Sequence, residues 1–180
     1  MPTILLSTFT TLFIMTFTAS LIIDFGKTQQ DWQVVNDTVM GGQSQSQVKY
    51  TEHSAVFKGT VSLENNGGFA SFRSPYGEWD LTKYKTLSIH YRSTGFDMAW
   101  TMKDQKPYYE PSFRGELPNT QGAWKTVEFQ LRNLEAYQLG KPLGYQLSNQ
   151  QLKNIIRLGF ITNEKRAGNF ELEIDLITFK

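Results

Sequence analysis

Asp37 and Glu64 each stand among amides and glycines, the first in Asn36-Asp37-Thr38-Val39-Met40-Gly41-Gly42-Gln43-Ser44 and the second in Glu64-Asn65-Asn66-Gly67-Gly68-Phe69. Backbone N–H groups bared at glycine can hold an anion or a carbonyl oxygen. Carboxylates beside amides can take up a network of sugar hydroxyls or a hard cation such as calcium. As a pair, Asp37 and Glu64 are the one combination to nominate for the acid and base of a glycan hydrolase, which must face each other across a cleft. The same residues also have a plain structural use. Asn36-Asp37 suits an Asx-type turn feeding a Gly41-Gly42 hinge, and Asn66-Gly67 suits a hairpin connection, because Asn and Gly tolerate the positive φ such turns need.

Several chemistries are excluded. No Gly-Lys-Ser/Thr follows either glycine pair, so neither is a nucleotide phosphate loop. No ladder of alternating Asp and Asn closes on a Glu, as a helix-loop-helix calcium site requires, so calcium stays open only as a reading of the Asp37 and Glu64 clusters, with too few ligands to assign a metal. The chain has no cysteine, which removes disulfides, thiolate catalysis and thiolate metal sites. His53 and His90 have no Ser, Cys or metal-ligand spacing around them and read as solvated rather than catalytic. The formal charge is +1, with no basic run longer than Lys165-Arg166, so binding to nucleic acid is not indicated. No cofactor is expected.

The elements that must position these residues alternate with period two. Phe57, Gly59, Val61 and Leu63 oppose Lys58, Thr60 and Ser62; Leu87, Ile89 and Tyr91 oppose Ser88, His90 and Arg92; Phe170, Leu172, Ile174 and Leu176 oppose Glu171, Glu173 and Asp175. Further strands are expected at 21–25, 45–50, 69–74, 96–103, 108–114, 124–131 and 155–162. One short helix should follow Ser148 as N-cap, with another helical turn near 134–139. Many strands, short connections and no repeat predict an all-β fold, an antiparallel two-sheet sandwich with the jelly roll as the specific form. Trp32, Trp79, Trp100 and Trp124 are mostly core candidates. In Tyr108-Tyr109, a strand would turn one ring outward, where it could stack on a sugar or a partner side chain.

Residues 1–20 carry no charged side chain and end in Thr18-Ala19-Ser20, which resembles a secretory signal peptide; the alternatives are an uncleaved anchor or a true start at Met15. Residues 21–180 then form a single domain. Export to the periplasm or medium follows from the first reading, a cytoplasmic protein from the last. A mitochondrial presequence does not fit, because no Arg precedes Arg73.

The residues Asp24-Phe25, Trp32, Val35-Asn36-Asp37, Val39 to Ser44, Phe57-Lys58-Gly59, Val61 to Ser71, Arg73, Trp124 and Val127 together resemble the complex I intermediate-associated protein 30 family. Gln43 stands where family members often carry Arg. The resemblance implies a galactose-binding-like jelly roll, a fold shared with carbohydrate-binding modules. It also implies a non-enzymatic binding or chaperone-like assembly factor, with respiratory-complex subunits as partners. The binding residues expected on this basis are Asn36, Asp37, Gly41, Gly42, Ser44, Glu64, Asn65, Asn66, Gly67, Gly68 and Arg73. The alternative is an extracytoplasmic carbohydrate-binding module with a glycan as ligand.

Overall fold

The computed structural model describes residues 19–27 and 31–180. In chain order the strands are β1 (Leu21–Asp24), β2 (Gln33–Asn36), β3 (Gln45–Tyr50), β4 (Ala55–Val61), β5 (Ala70–Arg73), β6 (Thr86–Thr94) and β7 (Met98–Lys103). They continue as β8 (Ser112–Leu117), β9 (Lys125–Gln130), β10 (Glu135–Gln138), β11 (Lys141–Gln146), β12 (Arg157–Thr162) and β13 (Gly168–Phe179). One sheet runs β3-β4-β13-β6-β9, with β1 also on β13; the other runs β11-β10-β8-β7-β12-β5-β2. Every pairing between these strands is antiparallel, the two-sheet sandwich that the alternation predicts. A short helix α1 (Asn149–Lys153) starts at Ser148, whose hydroxyl and the Gln151 side chain form a reciprocal capping box.

The inner faces supply an aromatic core. Trp32 lies within ring contact of Phe25, Phe72, Trp100 and Phe160, and Phe57 bridges the sheets by touching Phe72 and Phe170. Each fully buried ring contributes about 2 to 3 kcal/mol of apolar burial. Trp32 and Trp100 are core residues as expected, Trp79 packs half-buried against the core, and Trp124 is exposed.

The structure departs from the sequence expectations in several places, among them the strands β2 and β11, which the alternation does not announce. The alternation in β13 breaks at Asp175: a bulge lies between Ile174 and Leu176, so Ile177 and Phe179 enter the core while Leu176 is only half-buried. One inserted residue shifts every later side chain to the other face, which a strict period-two pattern cannot anticipate. Residues 135–138 form β10 rather than a helical turn, paired to β8 and β11. The strand expected at 108–114 begins only at Ser112, leaving both Tyr108 and Tyr109 exposed in the preceding turn. The segment after β4 is not a hairpin, because β4 and β5 belong to different sheets; it crosses the sandwich through a 3₁₀ turn at Glu64–Asn66 in which Asn65 and Asn66 take φ of 53° and 59°. Asp37 opens a 3₁₀ turn at Asp37–Met40 in place of a simple Asx turn. The proposed leader, apart from Ala19 and Ser20, lies outside the described residues. Among the described residues no helix is long and apolar enough to cross a membrane.

Candidate functional site

The two glycine-rich segments meet at the side chain of Asp37. This carboxylate is 1% exposed. Its Oδ1 accepts the Ser44 amide at 2.9 Å, and its Oδ2 accepts the Ser44 hydroxyl at 2.5 Å, the Gly68 amide at 2.6 Å and the Phe69 amide at 3.2 Å. The Ser44 hydroxyl in turn accepts the Ser62 amide at 3.0 Å. Burial alone pushes the Asp37 carboxyl up, but the Ser44 hydroxyl and the Gly68, Ser44 and Phe69 amides together outweigh it and hold the group below its ordinary value.

Two glycines make room for the clamp. A Cβ on Gly42 would sit 2.4 Å from the Asp37 carboxyl carbon, and one on Gly67 would sit 2.6 Å from Asp37 Oδ2. The glycines that read as anion cradles therefore serve an anion already in the chain. Four donors converge on the carboxylate, three on Oδ2 and one on Oδ1, and at 1% exposure it is closed to the solvent that the exposed Glu64 faces.

The other expected residues divide around this clamp. Asn36 ends β2, and its Oδ1 accepts the Ser46 hydroxyl at 2.5 Å. Asn65 donates from Nδ2 to the Gly41 carbonyl at 3.2 Å, a second tie between the segments. Gly41, Glu64, Asn65 and Asn66 are exposed. Alongside them stand exposed apolar side chains that were not among the expected binding residues: Val39 at 71%, Met40 at 62% and Leu63 at 41%, the last expected on the apolar face of its strand but lying beyond the end of β4. Arg73 is not part of the cluster. It sits at the far end of β5, opposite Gln33 and Gly159, on the outer face of the seven-stranded sheet.

That outer face carries a second polar assembly. Arg157 lies directly across from Lys103, and Gly159 lies between Arg73 and Thr101, whose other neighbour is Arg114. The Arg157 guanidinium stacks 4.4 Å from the Tyr76 ring centre and that of Arg114 4.9 Å from Tyr137. Beside Arg114 opens a cleft of about 440 Å³, lined also by Tyr137, Glu116, Glu128, Glu135 and Asn133.

The family model for complex I intermediate-associated protein 30 (CIA30) matches residues 23–174, a span that includes both clamped segments. The chain belongs to the complex I intermediate-associated protein 30 family. No curated protein matches the sequence. Among solved structures, the family 11 carbohydrate-binding module of the cellulosomal cellulase Lic26A-Cel5E of Clostridium thermocellum is similar, with a TM-score of 0.67 and 16% identity over 91% of this chain and 95% of that one. The Clostridium thermocellum family 11 module in complex with a β-1,3-1,4-mixed-linked tetrasaccharide gives 0.61 and 17% over 89% and 94%. The agarase AgWH50C gives 0.58 and 10%, over 89% of this chain but only 24% of that enzyme. At these identities the likeness is one of fold.

In the CIA30 chain the six-stranded sheet has its own outer network. His90 Nδ1 lies 2.9 Å from Asp175 Oδ2, the bulge residue, and its ring stacks on Trp124 with centres 4.8 Å apart. Arg92 covers the same indole at 5.0 Å and donates to Glu173, which also accepts the Ser54 hydroxyl at 2.7 Å. His90, read from the sequence as solvated, is thus a partner in this network, while His53 is exposed in a bend. Among the described residues no three His, Asp or Glu side chains approach as a metal site would require.

Proposed function

We propose that this CIA30 domain is a non-enzymatic binding module of the assembly-factor kind, which presents the clamped segments to a protein partner. The observation that carries this reading is the exposure of Val39, Met40 and Leu63 on segments tied to one buried carboxylate. Apolar side chains held in water on a rigid backbone lose little conformational entropy when a partner covers them. Asn65, Asn66 and Glu64 supply the polar rim such interfaces have. Membership of a family described as complex I intermediate-associated supports respiratory-complex subunits as the partners to try first.

The test is a photo-crosslinking residue placed at Met40 in the expressing cell, with the adducts identified by mass spectrometry. A respiratory subunit joined at position 40, and lost when Val39 is changed to Asp, is the expected result. No protein adduct at position 40, with unchanged partners for a Val39→Asp/Met40→Asp double variant, would overturn the reading.

A second reading is a glycan-binding module. The cleft beside Arg114 and the ring-backed guanidinia favour it, and one similar module is seen with a bound tetrasaccharide. It uses a different face of the sandwich from the clamp, and the two readings are independent.

A further inference from the structure

The outer face of the seven-stranded sheet gathers four cations, with Asp104 and Glu110 near Lys103 and Glu135 directly across from Arg114. Among the described residues none of Arg73, Lys103, Arg114 and Arg157 takes part in an ion pair. All four are half-buried. Arg157 and Lys103 are direct cross-strand partners, an arrangement of like charges that costs stability. Arg157 is partly occupied, donating from Nε to the Ser74 carbonyl at 3.0 Å, and Lys103 donates to the Pro107 carbonyl at 2.6 Å. The Arg73 guanidinium has no hydrogen-bond partner among the described residues. Burial, then the charge of Arg157, lowers the Arg73 pKa to about 10, against an upward pull from Tyr76; the group remains charged at neutral pH.

The shape of the face suits an extended ligand. Gly159 is buried beneath Arg73 and Thr101 and lets them lie close over the sheet: a Cβ there would come within 3.1 Å of the Thr101 hydroxyl oxygen and 3.2 Å of the Arg73 side chain. From β5 to β8 is three strand spacings, roughly 14 Å, more than one small anion spans. The Tyr76 and Tyr137 rings lie against two of the guanidinia, which restricts the cations in position. At the Arg114 end the cleft changes character and offers Glu116, Glu128 and Glu135 as acceptors. A nucleic-acid backbone would be repelled there, whereas sugar hydroxyls donate to carboxylates.

We propose that this face, from Arg73 across Gly159 and Thr101 to Arg114 and its cleft, binds an acidic saccharide. Its carboxylate or sulfate groups meet Arg73, Arg157, Lys103 and Arg114, and its hydroxyls meet the cleft carboxylates. The assignment rests on the glycan reading above and adds the charge of the ligand. It is independent of any partner at the clamp.

The experiment is affinity electrophoresis of the full chain through gels holding polygalacturonate, sulfated dextran, neutral dextran or neutral mixed-linked β-glucan, with a thymidine oligonucleotide as competitor. Expected is retardation by the carboxylated or the sulfated polymer, the two arms naming the acid group, at least about ten-fold stronger than by either neutral one and falling as salt rises. Arg73→Gln and Arg114→Gln should each weaken it about ten-fold or more, the worth of one charge-assisted hydrogen bond, while Lys58→Gln on the opposite sheet leaves it unchanged. Equal retention by neutral polymers would overturn the acidic assignment and leave the glycan reading standing. Retention by none would overturn both. An oligonucleotide bound as tightly as the acidic glycans would reduce the face to a general polyanion surface and overturn the saccharide assignment. Thermal unfolding of Arg73→Gln, expected no lower than the parent, separates lost binding from lost fold.

Discussion

Asp37 Oδ2 accepts the Gly68 amide at 2.6 Å across thirty-one residues of sequence, joining the end of β2 to the start of β5 at a point where the chain crosses between sheets. The two segments that looked like a ligand cradle are a cradle for each other. Their conspicuous composition is explained by a buried carboxylate, its amide donors and the glycines that let it in, and what they offer a partner is the exposed rim around it.

Replacing Asp37 by Asn keeps the shape but puts an NH₂ group against N–H and O–H donors. Because the site is closed to water, a loss of roughly 2 to 4 kcal/mol is expected. Urea unfolding should show this as a lower midpoint at unchanged slope. Ser44→Ala, which removes the hydroxyl but leaves the amide bond, should cost less, about 1 to 2 kcal/mol.

The clamp also sets an acid dependence. The folded Asp37 pKa lies below its unfolded value, so its stabilisation is fully present above the unfolded value of about 3.9. It is lost as the pH falls through the lower folded value. The gap in melting temperature between the parent and Asp37→Asn should therefore be constant from neutrality to about pH 5 and close below about pH 4. A gap that persists undiminished at pH 2 would mean that the carboxylate charge is not what stabilises the crossing.

Gly42→Ala and Gly67→Ala each drive a methyl into Asp37. Neither glycine has a positive φ, so the penalty is steric, about 2 kcal/mol or more. Gly140→Ala is the control. Its φ is +83° but nothing lies within 4 Å of the new Cβ, and the cost should be about 1 kcal/mol of backbone strain alone. Calorimetry on the three variants separates crowding from conformation.

Arg73→Met removes a half-buried, unpartnered cation from beside Arg157. Its melting temperature should equal or exceed the parent's, because like-charge repulsion is relieved and no hydrogen bond is lost. A marked fall would reveal a structural duty for the guanidinium.

Residues 1–20 carry an expectation from sequence alone. Intact-mass analysis of the protein from fractionated cells should find the mature chain starting near Leu21 in an exported fraction. A chain beginning at Met1 or Met15 in the cytoplasm would return the leader to the alternative readings.

Period-two alternation was enough to read the β-sandwich, because a strand buried on one face must alternate whatever it pairs with. Ser148 announced α1 through a cap made within four residues. Local pattern could not reveal the Asp175 bulge, whose position depends on β6. Nor could it reveal β10 and β11, a ladder with little burial on the outer strand. The family signature was legible as composition, Asn36-Asp37 with Gly41-Gly42 and Glu64 to Gly68. Its purpose was not: whether an Asp binds a ligand or its own chain depends on which amides arrive around it, and the Gly68 and Phe69 amides arrive from the start of the neighbouring strand β5, some thirty residues along the chain. The cationic face was still less visible. Arg73, Lys103, Arg114 and Arg157 stand on four separate strands, and in a chain of formal charge +1 only antiparallel register brings them side by side. Sequence determined the class of fold and the family, since both follow from residue types at short spacing. Tertiary structure decided which polar groups are spent on the fold and which are left for a partner, because that depends on contacts between strands distant in the chain.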